Sequence, residues 1–218
     1  MKHPDLDRDQ QLEIVINGSA IVLDKYSNGM DFHISKDSLW VRGKPTENGL
    51  IKKQGTEGPF LDGETEKFLL IYGTGKADKI DLLKKIGTLL QNNYSKSDIE
   101  VKLVPDTLVE KNKLAETNNL YLIGSPEENI YLKEILPDLP LTFSKDSLKL
   151  KGTYSRMETG IQMIYPNPKQ VDRYVIIDKY PENLVIFDVA DYFIYSLKDG
   201  ELDVHEDGYF DSNWQVGK

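Results

Sequence analysis

The 218-residue chain contains no cysteine. That removes disulfide frames, thiolate metal sites and cysteine nucleophiles together, while leaving the cellular compartment open. Histidine is nearly as scarce. His3, His33 and His205 are the three in the chain, too far apart to form the short-range pairs that metal sites use. No run of about 18 apolar residues occurs, so no membrane-spanning helix is expected. The first ten residues are polar and lack the apolar centre of a signal peptide. Positive charge is in the minority, with 27 Lys and Arg against 36 Asp and Glu, for a net charge of -9. An acidic chain of this kind is not expected to bind nucleic acid. There is no internal repeat and no low-complexity tract.

What is present is an α/β pattern. At about 150 residues per domain, the length fits one large domain or two small ones. Residues 1–10 read as a frayed or added N-terminus. Leu12 to Ile16, Ala20 to Leu23, Met30 to Ile34 and Leu39 to Val41 read as short strands. Asn17-Gly18 and Ser27-Asn28-Gly29 are turn signals between them. Residues 43–67, punctuated by Gly43, Gly49, Gly55, Gly58, Pro59 and Gly63, read as a long loop or linker. The expected division is therefore a small antiparallel β unit with its linker over residues 11–66, and an α/β domain over 67–218.

From Phe68 the pattern changes. Phe68 to Tyr72 is a continuous apolar run, as a strand covered on both faces requires. Ile80, Leu83, Ile86 and Leu90 mark a helix, with Leu82 and Leu89 widening its stripe. Asp98 to Val104 alternates and reads as a strand near an edge. A short helix opens at Pro105-Asp106-Thr107 and runs to about Glu116, and Asn119 to Gly124 is a third strand. Ser125-Pro126-Glu127-Glu128 opens a third helix. Three strand–helix units in succession predict a parallel sheet with right-handed crossovers. After Pro140 short strands return. Leu141 to Phe143, Ser147 to Leu150 and Thr153-Tyr154 are followed by the more apolar Gly160 to Tyr165, Arg173 to Asp178 and Leu184 to Asp188. The fold class expected is a three-layer, flavodoxin-like, mostly parallel sheet with added antiparallel strands.

Candidate sites are few. Ser125, Asp188 and His205 occur in the chain order of an α/β-hydrolase triad, but no Gly-x-Ser-x-Gly elbow surrounds Ser125. Its context reads as a helix N-cap, with Pro126 at the first helical position and Glu128 completing a capping box. No catalytic residue is assigned. Gly73-Thr74-Gly75-Lys76 lacks the spacing and hydroxyl of a P-loop, but it lies between a strand and a helix N-terminus. Gly73, Thr74, Gly75, Pro105, Asp106 and Ser125 would then line a crevice at the C-terminal strand ends, suited to a small molecule or anion. Asp203-Val204-His205-Glu206-Asp207 matches no calcium loop and reads as a solvated turn. No metal site and no cofactor is expected. Tyr165, Asn167, Tyr209, Phe210 and Trp214 form a candidate docking surface, with Tyr165-Pro166-Asn167-Pro168 a rigid strand exit.

Several phrases, in order, carry a resemblance. They are Gly55 to Phe60, Phe68 to Thr74, Asn119 to Asn129, Ile164 to Pro168 with Arg173 to Ile177, and Gly208 to Trp214. Over roughly residues 10–215 the chain resembles the C-terminal region of large bacterial secreted proteins related to prolyl oligopeptidases and esterases, the part that follows an α/β-hydrolase domain. The resemblance implies an accessory, non-catalytic role, an upstream hydrolase domain as partner, and a secreted or cell-envelope location. It assigns no catalytic residue to this region. It also implies that the chain is a fragment beginning with an added Met1.

Overall fold

The computed structural model describes residues 12–16, 19–23, 31–35, 38–42, 50, 52, 56–179, 190–198, 201–211 and 213–216. The chain divides into two compact units, Met1–Ile51 and Lys52–Lys218. In the first, β1 (Leu12–Ile16) pairs antiparallel with β2 (Ser19–Leu23), and β3 (Asp31–Ser35) with β4 (Ser38–Arg42). Glu13, Val15, Ala20 and Val22 share the exposed face of the first pair. The expected turns at Asn17-Gly18 and Ser27-Asn28-Gly29 lie outside the described residues, as do His3 and the expected strand from Leu184 to Asp188.

Residues 56–66, expected as linker, are built into the second unit. Phe60 is buried, its N–H donates to Ala190 O at 2.8 Å, and α1 (Asp62–Thr65) follows it. The chain then runs through β5 (Phe68–Tyr72), α2 (Ile80–Lys96), β6 (Lys102–Pro105), α3 (Thr107–Lys111), β7 (Asn119–Ile123) and α4 (Ile130–Ile135). Three short strands come next, β8 (Thr142–Phe143), β9 (Ser147–Lys149) and β10 (Thr153–Ser155). Four longer ones complete the unit: β11 (Thr159–Asn167), β12 (Gln170–Asp178), β13 (Tyr192–Lys198) and β14 (Glu201–Gly208).

These build a seven-stranded mixed sheet in the order β14-β13-β11-β12-β7-β5-β6, and a separate three-stranded antiparallel sheet, β10-β9-β8. In the large sheet β5–β6, β5–β7 and β7–β12 are parallel. The other three neighbouring pairs, β11–β12, β11–β13 and β13–β14, are antiparallel. The expected mostly parallel sheet is therefore evenly mixed. The reason is local: the chain from β11 to β12 turns back through Pro168-Lys169 as a hairpin, and no helix crosses over between them. The centre is dry. All nine residues of β11 and all five of β7 are buried, as the apolar runs require for strands covered on both faces.

Helix is sparse. α2 has 17 residues, but α3 and α4 have five and six. The expected helix through Glu116 stops at Lys111; Lys113 has a left-handed backbone, and a 3-10 turn, Leu114–Glu116, follows it. On α2, Leu83, Ile86 and Leu90 are buried while Leu82 and Leu89 are exposed, so the buried stripe is narrower than expected. The Asp203–Asp207 segment, expected as a turn, is strand: it lies in β14, where Leu202 and Val204 alternate with the acids.

Candidate functional site

The fold does bring the expected crevice residues together. β5 and β7 lie side by side, and β6 flanks β5, so the loops after their C-terminal ends meet. What these residues do there is the finding. Asp106 is buried, and its side chain does not cap its own helix α3. Instead its carboxylate crosses to the β5 loop and accepts from Thr74 N–H at 3.0 Å and Thr74 Oγ1–H at 2.6 Å. It also accepts from Ile130 N–H, the first residue of α4, at 2.6 Å.

Three further backbone donors of these loops are engaged too. Gly75 N–H donates to Glu128 O at 2.6 Å, Gly73 N–H to Ile123 O at 3.2 Å, and Ser125 N–H to Glu128 Oε2 at 2.8 Å. The glycines serve this closure. A Cβ on Gly73 would run into the Glu128 carbonyl, and one on Gly75 would stand 2.8 Å from the Glu127 carbonyl. Close approach of backbone is a standard use of glycine. Here the approaching backbone is the chain's own 124–129 loop, and the anion at the loop and helix start is the chain's own Asp106.

The α4 cap is not Ser125. Asn129 is the N-cap, its Oδ1 accepting from Leu132 N–H at 3.0 Å, and helix begins at Ile130. Its amide also donates to Ile71 O and Ile123 O, both at 3.2 Å, so one fully buried side chain ties β5, β7 and α4 together. The Ser125–Glu128 contact keeps half of a capping box, but it closes a turn in which Glu128 N–H donates to Ser125 O at 2.9 Å. Sequence reasoning passed over Asn129 because its neighbour Ser125 offers the stronger capping pattern.

Ser125 and His205 do not meet. Ser125 follows β7, and His205 lies on β14, with β12, β11 and β13 between them. Four strand spacings correspond to about 19 Å. His205 instead stacks on Tyr154, ring centroids 5.9 Å apart. Asp188 lies outside the described residues.

The candidate docking surface is mostly interior. Tyr165, Asn167, Phe210 and Trp214 are buried, and of the five only Tyr209, 60% exposed, faces solvent. Tyr165 packs edge-on against both Phe210 and Trp214, at 5.4 and 5.6 Å between centroids, and Tyr174 against Trp214 at 6.0 Å. The aromatic tail thus closes the core. A surface of four such residues would be expensive to leave in water, and packing them together removes that cost.

Beside this cluster lies a polar centre that no motif announced. Asp191, fully buried, accepts at Oδ2 from the Lys52 ammonium and from Phe210 N–H, the latter at 2.8 Å. Lys52 Nζ stands 4.6 Å from the centre of the Trp214 ring, a cation–π placement. Next to it Tyr174 donates to Asp62 Oδ2 at 2.5 Å and accepts from Gly58 N–H at 2.9 Å. Burial pushes the Asp191 carboxyl above its ordinary range, with Lys52 opposing that shift. Lys52, Gly58, Asp191 and Phe210 are dispersed over some 160 positions, which is why reading along the chain does not assemble them.

One further side chain has altered chemistry. Lys179 Nζ donates to Thr159 O at 2.7 Å and to Arg156 O. Burial, aided by the Arg156 guanidinium, lowers its ammonium to about 8. The folded state then binds fewer protons than the unfolded chain between pH 8 and 10.5, so stability rises with pH across that window. Tyrosine hydroxyls that burial pushes up act in the opposite direction near pH 10. The effect is therefore read as the urea-denaturation difference between wild type and Lys179→Met at pH 8 and at pH 10, which should grow in favour of the wild type. The same difference at both pH values would show that Lys179 does not carry a pH-dependent contribution.

Comparison with known proteins finds no family model, no curated protein and no solved structure that matches the chain.

Proposed function

We propose that the chain is a non-catalytic accessory module that packs against, or shapes access to, a hydrolase domain of a secreted or cell-envelope protein. The observation that carries the non-catalytic part is the internal occupation of the crevice. At the strand ends where α/β folds bind ligands, Asp106 takes the donors of Thr74 and Ile130, and the 124–129 loop takes those of Gly73 and Gly75. An anion entering there would meet a buried carboxylate and no free backbone donor among those groups. The hydrolase partner and the location rest on the resemblance of the phrases from Gly55 to Trp214. The order of the parallel strands supports the flavodoxin-like comparison. Their order, β6-β5-β7-β12, is second, first, third, fourth, as flavodoxin-like sheets begin.

The test is direct. The isolated chain should give no turnover above buffer with p-nitrophenyl esters or proline peptides. Turnover that disappears in Ser125→Ala would overturn the accessory reading. Thermal-shift screening with nucleotides and sugar phosphates should give no stabilisation; a ligand-dependent rise lost on altering Thr74 would favour a binding module instead. An α/β-hydrolase domain in the reading frame upstream of residue 1 supports the partner, and a start codon there with no such domain removes it.

A further inference from the structure

The two edges of the large sheet are finished differently. An open edge presents unpaired backbone donors and acceptors, and natural sheets blunt it by shortness, lysine or proline. β6, at one edge, has all three: it is four residues long and carries Lys102 and Pro105. β14, at the other, is eight residues long and has neither lysine nor proline; the protection it carries is its acids and one bulge. Among the described residues it pairs only with β13.

That edge is also apolar on one face. Leu197 opposes Leu202, and Tyr195 opposes Val204, so Leu197, Leu202 and Val204 share a face. They are 39%, 42% and 41% exposed. Glu201 and Asp203 alternate with them and point to the opposite face, and both are exposed. The register shifts between Ile194 and Tyr195, leaving His205 as an extra residue on β14. Just beyond it, Glu206 is taken up by Tyr154 Oη–H and by Gly152 N–H, the latter at 3.1 Å. Among the described residues the stretch with no second strand partner is therefore Glu201 to His205, about the length of an average strand, with the His205 ring at its far end stacked on Tyr154.

We infer that this stretch of β14 is a docking edge for an extended segment of another protein, in which basic and apolar residues alternate. Strand addition satisfies the open backbone groups, and side-chain pockets on alternate positions set specificity. On one face the incoming residues would meet Leu202 and Val204, with Leu197 of β13 behind them, which selects apolar side chains. On the other they would meet Glu201 and Asp203, with Lys198 of β13 opposite Glu201 and Ser196 opposite Asp203. This excess of acid selects lysine or arginine, because opposite charges on neighbouring strands stabilise and like charges destabilise. The same charge rule argues against a second copy of this chain as occupant. A two-fold pairing of β14 with itself sets acids against acids. The inference does not depend on the hydrolase partner proposed above; it concerns the chemistry of whatever strand is received.

The probe is a capped peptide of about six residues alternating lysine and valine. A glutamate–valine counterpart is the control. Titrated into the isotope-labelled full chain, the lysine peptide should shift the amide resonances of residues 201–205 and their β13 partners. A weak, transient complex with Kd on the order of 0.1 mM is expected. Binding should weaken several-fold on moving from about 50 to about 300 mM salt. The glutamate peptide should leave these resonances unmoved. In the Glu201→Lys, Asp203→Lys double variant, with the rest of the spectrum unchanged, lysine-peptide binding should fall at least about tenfold. Should that variant not fold, the contrast between the two peptides on the wild type decides. Absence of shifts at millimolar lysine peptide would overturn the inference. So would equal response to both peptides, or shifts confined to another surface. A dimer with protected β14 amides in the unliganded protein would assign the edge to a second copy and overturn it as well.

Discussion

Asp106→Ala is expected to cost about 3–5 kcal/mol of folding stability. The carboxylate is buried and accepts three hydrogen bonds, two from Thr74 and one from the first residue of α4. Truncation leaves two backbone N–H groups and a hydroxyl facing a cavity. Each buried donor left unmade costs about 1–3 kcal/mol, and the threonine hydroxyl recovers part by turning outward. Against a total stability of about 5–15 kcal/mol the loss is large. Asp106→Asn keeps one acceptor oxygen and should lose less, about half. Urea denaturation of the two variants, with the slope compared to that of the wild type, checks the ordering. A cost for the alanine variant below about 1 kcal/mol would mean that water already serves these donors. The crevice would then not be closed, and a small anion could compete for these donors.

The second large effect is expected at the Lys52–Asp191 pair. Asp191→Ala removes the partner of a mostly buried ammonium and of Phe210 N–H together. Breaking a buried pair from one side typically costs about 3–5 kcal/mol. Because Lys52 also lies over the Trp214 ring, the emission of Trp214 in a Trp40→Phe background should change with the same variant. The opposite truncation has a different signature. Lys52→Met strands the Asp191 carboxylate, which burial already pushes above its ordinary 3.8. A raised folded-state value means that the stability tied to this group is present at low pH. It is lost as pH rises through that value. Lys52→Met should therefore approach wild-type stability near pH 4 and fall further below it toward pH 7. A pH-independent cost would show that Lys52 acts through packing on Trp214 and not through Asp191.

The two centres were legible to different degrees. The crevice residues could be named from the chain, because each sits at a strand end marked by glycine, proline or an acid. Their role could not. A Gly-Thr-Gly loop before a helix looks the same whether a phosphate or an internal carboxylate fills it, and Asp106 lies 32 positions from Thr74. Asn129 was overshadowed by Ser125, whose neighbours suit a capping box better than its place in the fold does. The Asp191 centre had no local pattern at all. The acids of β14 hid a strand, since Leu202 and Val204 supply only two apolar positions to an alternation otherwise occupied by charge.

Absence of cysteine by itself excluded disulfides, thiolate metal sites and cysteine nucleophiles. The apolar runs likewise determined where the buried strands β5, β7, β11 and β12 lie, because a residue's affinity for water is a property it carries into any fold. Strand direction, the internal use of Asp106, the burial of the aromatic tail and the contrast between the two sheet edges were decided only by tertiary structure. Each depends on which distant segment arrives to satisfy a hydrogen bond, pair a charge or cover an apolar face, and that partner is not written beside the residue it serves.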